Sequence, residues 1–337
     1  NTDGYIRDKS RGFNKLDVID LAEPHPQHRE STHSASLIRG LAEGFRAAGR
    51  PVGGFDAYTT SGVLRGSGLS SSAAFEMAMG AILNHEYQAG LTPPQVARIG
   101  QYAENIYFGK PSGLLDQLTS AVGGVVFADF VQPDQPRVEK IHIPGLLPPE
   151  IALCVVDTRG SHSELTGEFA AIRQEMEAVA AQFGCGVLGQ VAPEDFWAEL
   201  SRVRRACGDR AALRAMHYFR ENARVPEQVR ALREGRFDDF MGLILASGHD
   251  SFTLCQNVYC SGSPAHQSLS VALAVSQQVL GGRGGAWRMQ GGGFAGTIQA
   301  FVPRDLLGEY PSRTEAVSGP GSCHEMTLRE QGACFVL

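Results

Sequence analysis

The sequence has 337 residues, of which 43% are hydrophobic and 20% are charged, and its formal net charge is -6 at pH 7. This composition is typical of a globular protein and excludes a disordered, collagenous or membrane-embedded chain. The 30 Lys and Arg residues are outnumbered by 36 Asp and Glu residues, so no basic excess indicates nucleic acid as the main ligand.

The cysteine pattern and the absence of targeting signals indicate the cellular compartment. The seven cysteines are an odd number without CxxC spacing, which favours free thiols in a reducing compartment. No apolar run approaches the ~18 residues of a membrane span, and the first residues lack a signal-peptide pattern. We therefore expect a cytoplasmic protein that binds neither membrane nor nucleic acid.

The first part of the chain is predicted to mix short strands with an amphipathic helix. Residues 5–22 hold two strand-like pieces around a polar turn. Residues 34–48 place Leu37, Ile38 and Leu41 at helical spacing, which predicts one apolar face. Residues 53–63 alternate between apolar and polar, as a half-buried strand does.

Three more helices and a domain boundary are predicted before residue 150. One helix follows a glycine- and serine-rich loop and ends near residues 85–87, and the next runs over 94–108 after two prolines. Residues 114–122 are predicted to form a buried helix, followed by a turn and a strand. The proline-rich stretch 132–150 then separates an N-terminal domain, 1–150, from a C-terminal domain, 151–337.

The second half opens with a strand at 151–157 that is predicted to be buried because nearly all of its residues are apolar. Helices are predicted over 164–184, 194–220, 224–246 and 265–280, and strands over 297–302 and 334–337. Strands and helices that alternate with several antiparallel connections indicate an α+β fold.

The loop at residues 66–72, with the sequence GSGLSSS, has the composition of an anion-binding site. A helix start leaves backbone N–H groups free and carries a partial positive charge, and glycines let the backbone approach a phosphate closely. The loop is not a Walker A motif, because no Gly-Lys-Ser/Thr follows. The alternative is a serine-capped helix after a glycine turn, although three consecutive serines exceed what capping needs.

Two further segments contain candidate catalytic or ligand-contacting residues. Asp116, on an otherwise apolar helix start, could accept or orient a hydroxyl proton; the alternative is a carboxylate that satisfies the N–H groups of its own helix. Three adjacent glycines at 291–293 precede a strand, which suggests either close backbone packing or contact with a ligand.

In their order and spacing these segments resemble the motifs of the GHMP kinases, and in particular of the galactokinase branch. Residues 68–74 are similar to that family's ATP-phosphate motif, residues 109–117 to the segment with the catalytic aspartate, and residues 291–296 to the third, glycine-rich motif. The resemblance implies a two-domain α+β GHMP kinase fold. Its N-terminal domain would be ribosomal-S5-domain-2-like and its C-terminal domain ferredoxin-like.

The resemblance also implies an activity, namely ATP-dependent phosphorylation of a sugar hydroxyl, with D-galactose converted to galactose 1-phosphate by a monomeric enzyme that uses ATP and Mg²⁺. Asp116 would be catalytic and, with Gly292 and Gly293, would contact the substrate. Ser71 and Glu104 would hold the metal. The residues expected to bind ATP are Gly66, Ser67, Gly68, Leu69, Ser70, Ser71, Ser72 and Ala73.

The chain departs from the family pattern at several points. The N-terminal Gly-Arg-x-Asn-x-x-Gly-Glu-His-x-Asp segment that grips the sugar in the family is not in this sequence, so we expect the natural protein to be longer. Residues 161–169 and 247–261 match the family loosely. Two alternatives therefore stay open: a kinase for another sugar or polyol, and a catalytically weak galactokinase-like sensor of sugar and ATP.

Overall fold

A computed structural model describes residues 5–10, 15–27, 32–63, 69–133, 135–143, 147–160 and 166–336. The chain divides into two compact units: the first contains residues 1–128, 138–140 and 329–337, and the second contains residues 129–137 and 141–328. The chain thus passes to the second unit between residues 128 and 141 and returns to the first at residue 329. The boundary that the sequence predicts near residue 150 stays a prediction.

The first unit begins with a small mixed sheet. In chain order the elements are β1 (Tyr5–Ser10), β2 (Lys15–Asp20), α1 (Ser34–Ala47), β3 (Phe55–Thr59), α2 (Ser71–Glu86), α3 (Pro93–Tyr102), a π-helical segment (Ala103–Phe108) and α4 (Leu115–Val122). The strand order is β2-β1-β3, with β1 antiparallel to β2 and parallel to β3. The strands β4 (Val125–Asp129) and β5 (Arg137–Ile141) pair in a separate two-stranded sheet.

The core of the first unit confirms the helical face predicted for α1. Ile38, Leu41 and Phe45 are fully buried and pack in one cluster with Leu83 of α2 and Leu118 of α4. Each fully buried side chain of this size contributes about 1.5–3 kcal/mol to folding. The apolar spacing of α1 therefore determines which side of the helix faces the other three.

Glycines let α1 approach α3 and the π-helical segment closely. A Cβ atom on Gly40 would lie 2.7 Å from the Cα atom of Ala103, and one on Gly44 would lie 2.5 Å from a methyl carbon of Ile99. Backbone meets backbone at Gly40, where no flexible side chain can yield. This close approach holds in place the π-helical segment that carries Glu104.

The second unit is built on an antiparallel sheet with strand order β7-β8-β6-β9. Its elements are β6 (Ile151–Asp157), α5 (Thr166–Ala181), α6 (Pro193–Ala198), α7 (Leu200–Cys207), α8 (Asp209–Arg233), α9 (Phe237–Asp250), a π-helical turn (Ser251–Cys255), α10 (Ser268–Leu280), β7 (Ala286–Met289), β8 (Thr297–Pro303), α11 (Glu309–Ser318) and β9 (Cys323–Met326). The predicted strands at 151–157 and 297–302 are confirmed, and Val156 and Ile298 lie in the core.

Two predictions for the second half are wrong. The helices expected over 194–220 and 224–246 are interrupted elsewhere, at Gly208 and Gly235, whose φ angles are +89° and +68°. α8 instead runs through the predicted gap at 221–223 and contains Pro226. Residues 334–336 form no strand, because the preceding residue, Ala333, donates its backbone N–H to the carbonyl of Ser120 at the end of α4 instead of to a sheet.

No helix in the described ranges combines the length and the apolar character that crossing a membrane requires.

Replacing Gly40 with Ala tests the packing of α1. The added methyl group must displace backbone atoms, and overpacking of this kind costs about 1–3 kcal/mol, which exceeds the roughly 1 kcal/mol that alanine gains in helix propensity. We expect denaturant unfolding to show a net loss of stability of up to about 2 kcal/mol. Gly242→Ala in α9 is the control: its Cβ atom would meet nothing within 4 Å, and we expect it to stabilise slightly. Equal gains for both variants would contradict the close contact.

Candidate active site

The helix that carries Glu104 changes its winding just before that residue. It starts with a capping box in which the backbone N–H of Thr92 donates to Gln95 Oε1 at 2.8 Å, and Pro93 follows, as the two prolines predict. At Ala103 the winding becomes π-helical, and the segment ends at Gly109, which has a φ angle of +82°. π-Helical turns occur frequently at functional sites, because the additional residue re-aims the side chains. Here Glu104 is only 2% exposed.

The start of α2 has the features of an anion site. Ser70 precedes the helix with φ +56° and ψ +43°, a left-handed conformation that is uncommon outside glycine and concentrates at functional sites. Ser70 makes no side-chain capping bond, and α2 therefore differs from a serine-capped helix in the part of the loop that the structure describes. The Ser70 side chain therefore leaves the N–H groups of the first turn and the positive end of the helix dipole to an anion.

The predicted ATP-binding residues are only partly described. Gly66, Ser67 and Gly68 lie outside the described residues. Leu69 and Ser70 are half-buried just before α2. The remaining members, Ser71, Ser72 and Ala73, form its first turn, and Ala73 is buried.

Glu104 is joined to α2 through Ser72. The hydroxyl of Ser72 donates to Glu104 Oε1 at 2.7 Å, and Lys110 Nζ lies 3.0 Å from the same oxygen. Ser71, the serine predicted as a metal ligand, is half-buried at the first position of the helix. Among the described contacts, Ser72 is therefore the loop serine that the fold brings to Glu104. Which of the three consecutive serines contacts Glu104 depends on how α2 is rotated about its axis. The sequence of the serines alone does not indicate this rotation.

A buried amide links two acidic residues behind this contact. Gln117 Nε2 donates to Glu104 Oε2 at 2.8 Å and to Glu76 Oε2 at 3.0 Å. Gln117 and Glu76 are both fully buried. Sequence reasoning missed both roles. The signal that was available is a glutamate at position 76 in the middle of the apolar run of α2, since a charged residue is almost never fully buried without a partner.

The two carboxyl groups differ in charge. Burial, and then the negative charge of Glu104, raise the pKa of Glu76 to about 8, so Glu76 is mainly neutral at pH 7. Burial acts to raise the pKa of Glu104 as well, but hydrogen bonds from Ser112, Ser72 and Lys110 outweigh it and hold this pKa below its usual value. Glu104 is therefore the ionised member of the pair and can bind a cation.

Asp116 lies in the first turn of α4, and its side chain is exposed. The prediction of a buried helix is thus wrong for this face: the buried residues of α4 are Gln117, Leu118 and Ala121. The helix is amphipathic and turns Asp116 to the surface, where a dissolved molecule can reach it. Gln117, its neighbour in the chain, points inward to Glu104.

The glycine-rich loop of the second unit is held by close packing. A Cβ atom on Gly293 would lie 2.0 Å from the carbonyl oxygen of Asn257, and one on Gly292 would lie 2.7 Å from the ring of Phe169. The Asn257 amide donates to the carbonyl of Gly292 at 3.1 Å. Close backbone packing, one of the two readings of these glycines, is therefore confirmed. Their contact with a substrate stays a prediction.

The comparisons with known proteins agree with this geometry. Residues 36–124 match the family model of the GHMP kinases N terminal domain. The structure of Lactococcus lactis galactokinase complexed with galactose superposes with a TM-score of 0.78 at 22% identity, over 98% of this chain and 84% of that one.

The chain has the fold of the GHMP kinases.

More distant members of this fold group are also similar. A D-glycero-D-manno-heptose 1-phosphate kinase from Bacteroides thetaiotaomicron gives a TM-score of 0.59 at 15% identity, over 98% of this chain and 83% of that one. The L. major mevalonate kinase in complex with R-mevalonate gives a TM-score of 0.57 at 15% identity, over 97% of this chain and 82% of that one. The predicted α+β GHMP kinase fold is thereby confirmed.

The residues around Glu104 fit a magnesium ion that also binds phosphates. A carboxylate and a hydroxyl are hard oxygen ligands, and Mg²⁺ in kinases is commonly held by one or two protein oxygens together with substrate phosphates. In the described ranges, no group of three or more His, Cys, Asp or Glu side chains could hold a metal ion. A magnesium ion at Glu104 would take its remaining oxygen ligands from water or from the phosphates of a bound nucleotide.

Glu76→Gln tests the buried neutral acid. Between the ordinary value of 4.5 and about 8, folded Glu76 keeps a proton that the unfolded chain releases, so stability falls as pH rises through this window. The slope reaches about 1.4 kcal/mol per pH unit for one proton. We expect urea unfolding between pH 5.5 and 8 to show a shallower decline for the variant. Parallel pH profiles for both proteins would show that Glu76 is ionised in the fold.

Proposed function

We propose that this protein phosphorylates a hydroxyl group of a small sugar with ATP, converting D-galactose to galactose 1-phosphate. The observation that carries the proposal is the start of α2, which the side chain of Ser70 does not cap, beside the ionised carboxylate of Glu104, with the Ser72 hydroxyl joining the two. A site for an anion and a site for a cation thus lie next to each other in one unit. Magnesium-bound phosphate needs both.

In this proposal the first turn of α2 binds the ATP phosphates through its backbone N–H groups. Glu104 and Ser72 hold the magnesium ion, and Ser71 is the other candidate ligand. The magnesium ion, when bound, neutralises the charge that develops on the phosphate oxygens. Lys110, which is exposed and pairs with Glu104, adds a mobile positive charge at the same place.

Asp116 acts on the acceptor. The hydroxyl oxygen of the sugar attacks the γ-phosphorus, the bond from this phosphorus to the β,γ-bridging oxygen breaks, and the hydroxyl proton passes to the Asp116 carboxylate. Its exposed place in the first turn of α4 supports this role, because the carboxylate can meet a dissolved sugar. Gln117 connects the same turn to Glu104, so α4 links the proton acceptor to the cation site.

The choice of galactose rests on the structural comparison. The galactokinase complexed with galactose superposes with a TM-score of 0.78, against 0.59 and 0.57 for the heptose 1-phosphate kinase and the mevalonate kinase. We propose that Gly292 and Gly293 of the second unit contact the sugar. A monomeric cytoplasmic enzyme completes the proposal.

An ADP-release assay with Mg²⁺-ATP and a panel of sugars and polyols tests the function. We expect turnover with D-galactose that exceeds turnover with glucose, mannose, heptose phosphates or mevalonate. Turnover with another member of the panel would assign the enzyme to that substrate. ATP binding without turnover on any acceptor would favour the alternative of a catalytically weak sensor of sugar and ATP.

Asp116→Asn tests the proton acceptor. General base catalysis contributes typically 10²–10⁴-fold, so we expect kcat to fall by about that factor while nucleotide affinity is unchanged. Asp195→Asn is a matched control, because Asp195 is also exposed in the first turn of a helix, α6. Wild-type kcat in the Asp116 variant would remove Asp116 from the chemistry.

A further inference from the structure

Three buried side chains from three different elements meet behind the candidate cation site. Glu76 belongs to α2, Glu104 to the π-helical segment and Gln117 to α4, and none is more than 2% exposed. Both hydrogens of the Gln117 amide are used, one on each carboxyl group. We call this arrangement the amide bridge.

The orientation of the Gln117 amide follows from its neighbours. Turning the group over would place its carbonyl oxygen against the oxygens of Glu76 and Glu104, where it could accept nothing from the ionised Glu104. In the described orientation Gln117 Oε1 and Glu76 Oε1 are buried without a partner among the described residues. A bridge that tolerates two unpartnered buried oxygens costs stability, because each such group loses its hydration.

A glycine in the neighbouring helix α3 leaves room for the amide bridge, although glycine lowers the helix propensity of α3. Gly100 lies inside α3, where glycine costs about 1 kcal/mol relative to alanine. A Cβ atom there would lie 2.5 Å from the terminal methyl carbon of Met77, 3.1 Å from Glu76 Oε2 and 3.4 Å from Gln117 Cγ. The low helix propensity of glycine and the two unpartnered oxygens are both unfavourable for stability, which points to a role beyond holding the helices together.

The division of contacts on Glu104 indicates that role. The Oε2 atom receives the buried Gln117 amide, whereas Oε1 receives the Ser72 hydroxyl and the exposed Lys110 ammonium. One oxygen is therefore fixed by the protein interior, and the other faces the groups that border the start of α2. Glu76 contributes an acceptor oxygen that holds the amide in place, and a glutamine at this position would supply the same acceptor.

We propose that Gln117 is a positioning residue, anchored by Glu76, that holds the Glu104 carboxylate so that its Oε1 atom faces the magnesium ion. The inference deepens the proposed function and rests on it, because it takes Glu104 as the metal ligand. Groups that orient metal ligands in this way typically change metal affinity by 10–100-fold when they are mutated.

Binding of Mn²⁺ in the presence of ADP, measured by the electron paramagnetic resonance signal of free Mn²⁺, tests the proposal without turnover. We expect Gln117→Met to weaken Mn²⁺ affinity about 10-fold or more. In kinetics, the same variant should need more Mg²⁺ for half-maximal rate and recover most of its kcat at saturating Mg²⁺. Glu76→Gln, the conservative variant, should stay within about threefold of wild type, well below the 10-fold loss.

Two further variants separate positioning from general loss of stability. Ser276→Ala removes a buried hydrogen bond to Tyr310 in the second unit, 2.9 Å long, and should lower the melting temperature without changing Mn²⁺ affinity. Gln117→Asn keeps an amide but is one methylene too short to bridge, so it replaces the methionine variant if that does not fold, with the same expected loss.

Glu104→Gln distinguishes the assignment of Glu104 as the metal ligand from the positioning role of Gln117. Loss of Mn²⁺ affinity in Glu104→Gln with none in folded Gln117→Met or Gln117→Asn would overturn the positioning role and leave the proposed metal ligand intact. Unchanged affinity in Glu104→Gln would overturn the ligand assignment and the positioning role together. Losses in both Glu104 and Gln117 variants would support Gln117 as the positioning residue, and a 10-fold loss in Glu76→Gln, which keeps the acceptor oxygen, would overturn the anchoring by Glu76.

Discussion

The ionised carboxylate of Glu104, almost completely buried, is the constraint on which the first unit depends. A buried charge costs several kcal/mol unless hydrogen bonds replace its hydration. Ser72, Lys110 and Gln117 provide those bonds from α2, from the loop after the π-helical segment and from α4. Moving any one of these elements by more than about an ångström breaks a hydrogen bond. The apolar core and its glycines bring the helices together, and the buried charge of Glu104 requires that they meet within hydrogen-bond distance of it.

A second acid is buried beside the first because it is mainly neutral. Burial, and then repulsion from the ionised Glu104, raise the pKa of Glu76 to about 8, so Glu76 stays mainly protonated at pH 7. One negative charge therefore remains near the start of α2, where the helix dipole is positive. A helix start that can bind an anion and a carboxylate that can bind a cation fit the proposed binding of magnesium-bound phosphate, and the exposed Asp116 on the neighbouring helix fits the proposed role toward a hydroxyl acceptor.

Much of the fold follows from local pattern. The apolar face of α1, the proline start of α3 and the buried strand β6 were predicted, because each depends on residues that are close together in the chain. The π-helical winding at Ala103 was not predictable, because a single turn with an additional residue leaves no periodic signal. Residues 334–336 of the strand expected at the end of the chain form no strand, and the backbone N–H of the adjacent Ala333 bonds to Ser120 of α4.

For the candidate site, the sequence alone determined which residue types are present: a glycine- and serine-rich helix start, Glu104 twelve positions before Asp116, and a glycine cluster before a strand. Only the tertiary structure decided that Ser72 contacts Glu104, that Asp116 is exposed while Gln117 is buried, and that Gln117 bridges to Glu76, 41 positions earlier in the chain. The physical reason is that a hydrogen bond between distant residues depends on the relative rotation and separation of packed helices. Those quantities are determined by the whole core and by the glycines that permit close approach, and no stretch of local sequence encodes them.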